Sequence, residues 1–431
     1  MQSIVDWTDV LPYAGGARRE AATRARRAEF DMSKTAEKIN SVADARHFAR
    51  KRLPKAIFQL FDGGSGAGIT ARLNEKAFED VMFRPRAAVF HPQRDVRTRV
   101  FGHDIDIPVI LSSVGALKIG HQDGELAVTR VAGRNGTIQF LSGVSNTSME
   151  EIVAEATGPV YQQLYYVGGR DATAPLIERA RDAGAAGIVL IADSAAPNGG
   201  AEIPYPDRAR IPSGMNVGEA IRFLPQIWNK PAWLKDFILR GGMRMPVGAN
   251  SVAKDVEPRP FLEARARLHD ETPTFEDIEW IRSIWDTQII VKGIVDPESA
   301  RKAVEHGAAG IVVSNHGGNV LDGTIPTLRA LPGIVDAVGD QIDIILDGGI
   351  RRGSDVVKAL TMGAKAVAIG RPYTYGLLAA GESGVSRIMD IFTAQIDAAM
   401  AFLGVEKIQD LDPSLLVFPE AWRTLSLDEL P

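Results

Sequence analysis

The segment Ser314-Asn315-His316-Gly317-Gly318-Asn319-Val320-Leu321-Asp322-Gly323 sets an imidazole and two glycines at the end of an apolar run that begins at Gly310. Imidazole takes up and returns protons near neutral pH, and glycines let a ligand come close to the backbone. A lone histidine behind a strand is more often structural, so the reading depends on what else converges there. Lys292 ends an apolar run in Val291-Lys292-Gly293, where a buried ammonium needs an anionic partner. Asp193 ends another run; a carboxylate can orient an imidazole and stabilise its protonated form. Gln163 and Tyr165 end a third and offer polar contacts to a ring system or a substrate. Two further turns, Leu346-Asp347-Gly348-Gly349-Ile350-Arg351-Arg352-Gly353 and Ile369-Gly370-Arg371-Pro372, join glycines to arginine. Backbone N–H groups with a guanidinium make a phosphate site. The blander account makes all of these satisfied rim residues, but their recurrence at the ends of successive runs argues against coincidence.

The elements that must position these groups are eight short apolar runs, most followed by a helical pattern. They are Ile107–Ser112, Thr137–Ser142, Pro159–Tyr165, Gly187–Asp193, Gln288–Ile294, Gly310–His316, Asp343–Gly349 and Ala366–Pro372. Runs such as Gly187–Asp193 are apolar on both faces, as parallel strands buried on both sides are. Thr173–Ala183 and Pro297–Glu305 show helical spacing with a glycine near the end. Eight β/α units predict an α/β chain folded as a single (β/α)8 TIM barrel, with its chemistry where the strands end; an open doubly wound sheet is the alternative. Residues 1–40 read as an N-terminal extension and residues 41–431 as the barrel. The extension carries the arginine-rich Gly16–Phe30, read as a solvated helix or subunit-contact arm. The interval 194–280, after strand four, is rich in Pro and Gly and holds Trp228, Trp233 and Phe237. An insertion that long is read as a lid or a subunit contact, in preference to a membrane-surface element.

Composition narrows the chemistry. The chain has 431 residues, 45% hydrophobic and 24% charged, and no cysteine. Thiolate metal sites, cysteine nucleophiles and disulfides are excluded, so any redox chemistry comes from a bound cofactor. A net charge of −5 opposes a broad nucleic-acid surface. No apolar run reaches the roughly 18 residues needed to span a membrane, and the N-terminus lacks the pattern of a secretory signal. The expectation is a cytoplasmic enzyme with no metal.

At the residues named above the sequence resembles the FMN-dependent 2-hydroxy-acid oxidase and dehydrogenase family, from about Ser41 to about Pro419. Further matches are Arg52-Leu53-Pro54-Lys55, Phe83-Arg84-Pro85-Arg86, His121-Gln122-Asp123-Gly124-Glu125 and Gln163-Leu164-Tyr165. The resemblance implies that His316 is the base, that Asp193 pairs with its imidazole, and that Tyr165 stands beside them. It implies that Lys292 lies near the flavin N1/O2 edge and that Gln163, Ser142 and Ser314 contact the flavin. Asp347, Gly349, Arg351, Gly370 and Arg371 would hold its ribityl and phosphate parts, and Ser113, Val114 and Gly115 would run along the ring. It also implies a small-molecule substrate, oxygen or a redox carrier as electron acceptor, and a homo-oligomer, tetramer or octamer.

Four positions depart from the family pattern. Asn319 stands where members that oxidise small hydroxy acids carry an arginine, and Leu60 where they usually carry a tyrosine; both normally grip the substrate carboxylate. Val144 replaces a common pocket aromatic, and Ile191 a frequent flavin-contacting threonine. Asn319 in His-Gly-Gly-Asn-x-Leu-Asp-Gly and the stretch Ile211–Asn250 resemble the family's mycofactocin-biosynthesis branch, which oxidatively deaminates a cyclic amide made from the Val-Tyr end of a peptide. This implies a neutral, amide-type substrate, with Asn319 hydrogen-bonding it in place of the arginine. The alternative is a lactate-like hydroxy acid, held through Arg208 or Arg210 of the insertion. A non-redox flavin barrel and a retired scaffold are the remaining classes, and the intact His316, Asp193, Lys292 and Arg351 oppose both.

Overall fold

The computed structural model describes residues 32–166, 168–194, 225–239, 248–254, 256–258 and 272–422. Much of the extension and of the insertion, with Arg208 and Arg210, lies outside them.

Eight strands close into one barrel: β1 Val109–Leu111, β2 Gln139–Leu141, β3 Val160–Leu164, β4 Gly187–Ile191, β5 Gln288–Ile294, β6 Gly310–Val313, β7 Asp343–Asp347 and β8 Ala366–Ile369. Neighbours pair in parallel all the way round, with Val367 of β8 against Val109 of β1 and Leu111 against Gln139. Most of the strands end sooner than the apolar runs predict. Asp193 and His316 sit in the loops beyond the last ladder bond, while Gln163, Lys292 and Asp347 stay within their strands.

Side chains alternate across a strand with period two, and this alternation organises the interior. Ile110, Phe140, Tyr161, Val189, Ile290, Val312, Ile345 and Ala368, one from each strand, form a single apolar cluster. Their outward neighbours, such as Val109, Leu141, Ile188, Val291 and Ile344, belong to a second cluster shared with the surrounding helices. Two residues beyond each interior position stand Ser112, Ser142, Gln163, Ile191, Lys292, Ser314, Asp347 and Gly370. Two further on, past the strand ends, come Val114, Val144, Tyr165, Asp193, His316 and Gly349. The barrel therefore runs from an apolar floor, through a mostly polar layer, to the reacting groups at its mouth.

The floor is closed by a hairpin, Thr98–Val100 with His103–Ile105. Phe101 at its tip joins the interior cluster. Its N–H donates to Asp343 (2.7 Å), and His103 Nε2 meets Tyr161 Oη at 3.1 Å. Outside the barrel, the helices before β1 include α1 Val42–Arg52, α2 Lys55–Asp62 and α3 Ile69–Asp80. Ser41 caps α1 by accepting from Asp44 N (3.1 Å). The interval before β5 also contains a helix, Glu276–Ile284, amphipathic with Ile278 and Ile281 buried. The last long helix, Arg371–Leu403, breaks at Ala380 and Gly381.

Phe101→Ala empties the floor and should cost about 3–5 kcal/mol, read as a fall in the urea midpoint. A midpoint equal to the parent's would show that the hairpin does not close the barrel.

Candidate active site

The polar layer is bonded to itself. Lys292, 4% exposed, lies 3.3 Å from Asp347 Oδ2 and donates to Ser314 Oγ at 2.8 Å. Ser112 Oγ donates to the same Asp347 oxygen (3.1 Å). Asp347 is thus the anion that the buried lysine requires. Ser142 Oγ accepts from Val144 N (3.2 Å). Gln163 is buried, yet its Oε1 has no partner among the described residues. A buried amide oxygen without a donor costs about 1–3 kcal/mol, which a bound molecule that donates to it would relieve.

Above this layer the chain turns sharply after β6. His316 has φ +55°, followed by Gly317 at +62° and Gly318 at +77°. A side chain in this left-handed region costs about 1–3 kcal/mol, so the surroundings must hold it. They supply a donor to four consecutive carbonyls. Gly318 N donates to Asn315 O (2.9 Å), Asn319 Nδ2 to His316 O (2.9 Å), Arg371 Nη1 to Gly317 O (2.8 Å), and Ser65 N to Gly318 O (2.7 Å). His316 N itself donates to Ser314 Oγ at 3.1 Å. The two glycines, expected to admit a ligand, have another reason here. A Cβ on Gly318 would stand 2.7 Å from Ala71 N, and one on Gly317 would stand 2.9 Å from Arg371 Nη1.

His316 Nδ1 lies 3.1 Å from Asp193 Oδ1. With the carboxylate accepting, the proton sits on Nδ1 and Nε2 carries the free lone pair. Tyr165 Oη is 3.5 Å from that Nε2, and burial beside Asp193 pushes the phenol's pKa up. Burial would also raise the Asp193 pKa, but the His316 imidazole and the Lys292 charge outweigh it and hold it below the usual carboxylate value. The stability this pair contributes is therefore complete above the ordinary carboxylate pKa and is lost as pH falls through the lowered one. Among the described residues Asp193 Oδ2 has no partner.

Gly293, which the sequence reading passed over, makes this pair possible. It sits at φ +110° in a register shift of β5, and a Cβ there would come within 2.6 Å of Asp193 Cβ and Cγ. A glycine directly after the strand's lysine was the available signal.

The other expected residues fall in several places. Val144, Tyr165 and Ile191 pack together as a small apolar wall, and Ser113, Val114 and Gly115 are half-buried beyond β1. Asn319 is exposed with one amide N–H on His316 O, so Oδ1 and the second N–H of that group are left to meet a ligand. Leu60 is half-buried on α2 against the main core, with no contact to His316 described. Arg351 and Arg371 line one cavity of about 1010 Å³ with Arg46, Gly63 and Gly64. Burial pushes the Arg371 pKa down, and its Nε has no partner among the described residues, which suits an incoming anion. Arg351 instead pairs with Glu75 at 2.8 Å. The backbone cradle expected at the seventh unit is filled from within, since Asp355 accepts from both Arg351 N and Arg352 N at 2.9 Å. Gly370 and Arg371 open the 33-residue helix Arg371–Leu403, whose N-terminus favours anions.

Fold and site define a (β/α)8-barrel enzyme with a carboxylate-oriented imidazole above a buried, charged layer. The family model "FMN-dependent dehydrogenase" matches residues 49–418; the chain belongs to this family, is an FMN-dependent oxidoreductase, and takes FMN as its cofactor. Pre-mycofactocin synthase of Mycolicibacterium smegmatis is 40% identical over 388 residues, covering 89% of this chain and 95% of that protein. An L-lactate dehydrogenase of Caulobacter sp. is 37% identical over 88% of this chain and 98% of that protein. The crystal structure of the monotopic membrane protein (S)-mandelate dehydrogenase superposes with a TM-score of 0.80 at 30% identity, covering 88% of this chain and 100% of that one. No helix among the described residues is long and apolar enough to cross a membrane.

Gly293→Ala should fold and retain FMN while Asp193 is pushed off His316. Displacements of this size cost up to about 100-fold in rate, measured as substrate-driven flavin bleaching without oxygen. Bleaching at the parent rate would show that Asp193 does not need that space.

Proposed function

We propose that this enzyme oxidises a neutral, amide-type substrate at a carbon that bears OH or NH2 next to a carbonyl. Oxidative deamination, which the resemblance to the mycofactocin-biosynthesis branch implies, is the version we favour. The observation that carries the reading is Asn319: where a hydroxy-acid enzyme needs a cation, this chain presents an uncharged amide. The described cations nearest His316 are already engaged, Lys292 by Asp347 and Ser314, and Arg371 by the Gly317 and Gly63 carbonyls. Among the described residues a carboxylate there would be desolvated without a partner.

Gln163, Lys292, Ser142 and Ser314 would hold the flavin ring, and Ser113, Val114 and Gly115 would lie along it. Asp347, Gly349, Arg351, Gly370 and Arg371 would hold the ribityl and phosphate. The unpartnered Gln163 Oε1 and Arg371 Nε are what fit this cofactor. FMN, when bound, supplies the acceptor for a hydride equivalent. His316 Nε2 takes the proton from the substrate's O–H or N–H, and Asp193 stabilises the imidazolium that results. Val144, Ile191 and Tyr165 would flank the substrate, with Asn319 and Leu60 completing the pocket.

A second reading, oxidation of an L-2-hydroxy acid, is favoured by the similarity to L-lactate dehydrogenase over nearly that whole protein. Mandelate and mandelamide separate the two, because they differ only in the charge of one group. Anaerobic flavin reduction by mandelamide should outpace that by mandelate and by L-lactate, and Asn319→Arg should reverse the order. Faster reduction by either acid in the parent would overturn the neutral-substrate reading.

A further inference from the structure

Asn315, the residue between Ser314 and His316, turns its side chain out of the mouth and into a buried amide pair. Asn74 Nδ2 donates to Asn315 Oδ1 at 2.8 Å, and Asn315 Nδ2 donates back to Asn74 Oδ1 at 2.9 Å. Both residues are at most 2% exposed. The remaining capacity is also used: Asn315 Nδ2 reaches Ile325 O (3.1 Å), and Asn74 Oδ1 accepts from Thr327 N (3.2 Å). Asn74 lies on α3, outside the barrel and 241 residues away in the chain.

The same helix touches the His316 loop at two more points. Asp322 Oδ1 accepts from Thr70 N at 2.9 Å, at the start of α3, and Gly318 lies against the Ala71 backbone. The residues before His316 are thus clamped from opposite sides, Ser314 by Lys292 inside the barrel and Asn315 by Asn74 outside it. A left-handed histidine has little torsional preference for its place. Its imidazole meets Asp193 only while the peptide on its N-terminal side keeps this orientation.

We propose that Asn74 is a positioning residue for His316: the Asn74–Asn315 amide pair holds the left-handed turn and with it the Nδ1 contact to Asp193. Its catalytic consequence rests on the reading of His316 as the base. The structural part stands apart from it, and the test separates the two.

The test uses FMN-loaded protein with 15N-labelled histidine. The chain has 7 histidines, and the His316 signals are identified by their loss in His316→Ala. In the parent, the Nδ1 proton shared with Asp193 should give a downfield, slowly exchanging resonance. In Asn74→Ala it should move upfield or broaden, with FMN affinity unchanged. Asn315→Ala should do the same, and the double variant should be no worse than either single one. Anaerobic reduction by mandelamide should fall about 10-fold or more, the scale on which partners that orient a reacting group act. In a His316→Ala background, Asn74→Ala should slow it no further. A parent-like His316 resonance in both single variants overturns the proposal, as do strictly additive effects. A shifted resonance with undiminished reduction supports the strut and counts against His316 as the base. Should Asn74→Ala fail to fold, Asn74→Ser, which keeps a hydroxyl for one of the bonds, is measured in the same way.

Discussion

An imidazole that projects over the mouth of a closed barrel cannot be held by its strand, because the ladder ends before it. β6 stops at Val313, and His316 stands three residues on, in a backbone region that a side chain occupies at a cost of about 1–3 kcal/mol. The surrounding structure pays that cost with hydrogen bonds. Four carbonyls in a row receive donors from the turn itself, from Asn319, from Arg371 at the start of the last helix and from Ser65 ahead of α3. Arg371 therefore links the His316 turn to the cavity that would receive the cofactor's phosphate, and α3 links it to the outer layer.

The same economy appears in the register of the barrel. One alternation per strand places apolar residues on the floor, a buried network of Lys292, Asp347, Ser112 and Ser314 above it, and Tyr165, Asp193 and His316 at the top. Breaking that network would leave a buried charge unpaired, at about 3–5 kcal/mol. The charged layer thus constrains what can lie on it. Ile191 is its one large apolar member, continuous with the wall of Val144 and Tyr165, and that wall suits a substrate with an apolar face.

Much of this could be read before the structure. The eight runs are the eight strands, and the polar residues at their ends gather at one mouth. What could not be read is what lies far apart in the chain. The Asn74–Asn315 pair spans 241 residues, and the Ser112–Asp347 bond spans 235. Gly293 is needed because of a carboxylate one hundred residues earlier, just past the end of the neighbouring strand. Gly317 and Gly318 were legible as glycines that something approaches, but that something is the protein: Arg371 and the Ala71 backbone. At the seventh unit the glycine–arginine turn has the composition of a phosphate cradle, yet Asp355, four residues after Arg351, takes the N–H groups.

The account stands on a proton leaving the substrate for His316 Nε2. The direct measurement is stopped-flow anaerobic reduction of bound FMN in His316→Gln against the parent, with mandelamide and mandelate each at saturation. Gln keeps the volume but has no basic nitrogen, so reduction should slow by at least about 100-fold with FMN still bound. Reduction at the parent rate with both substrates would contradict the account.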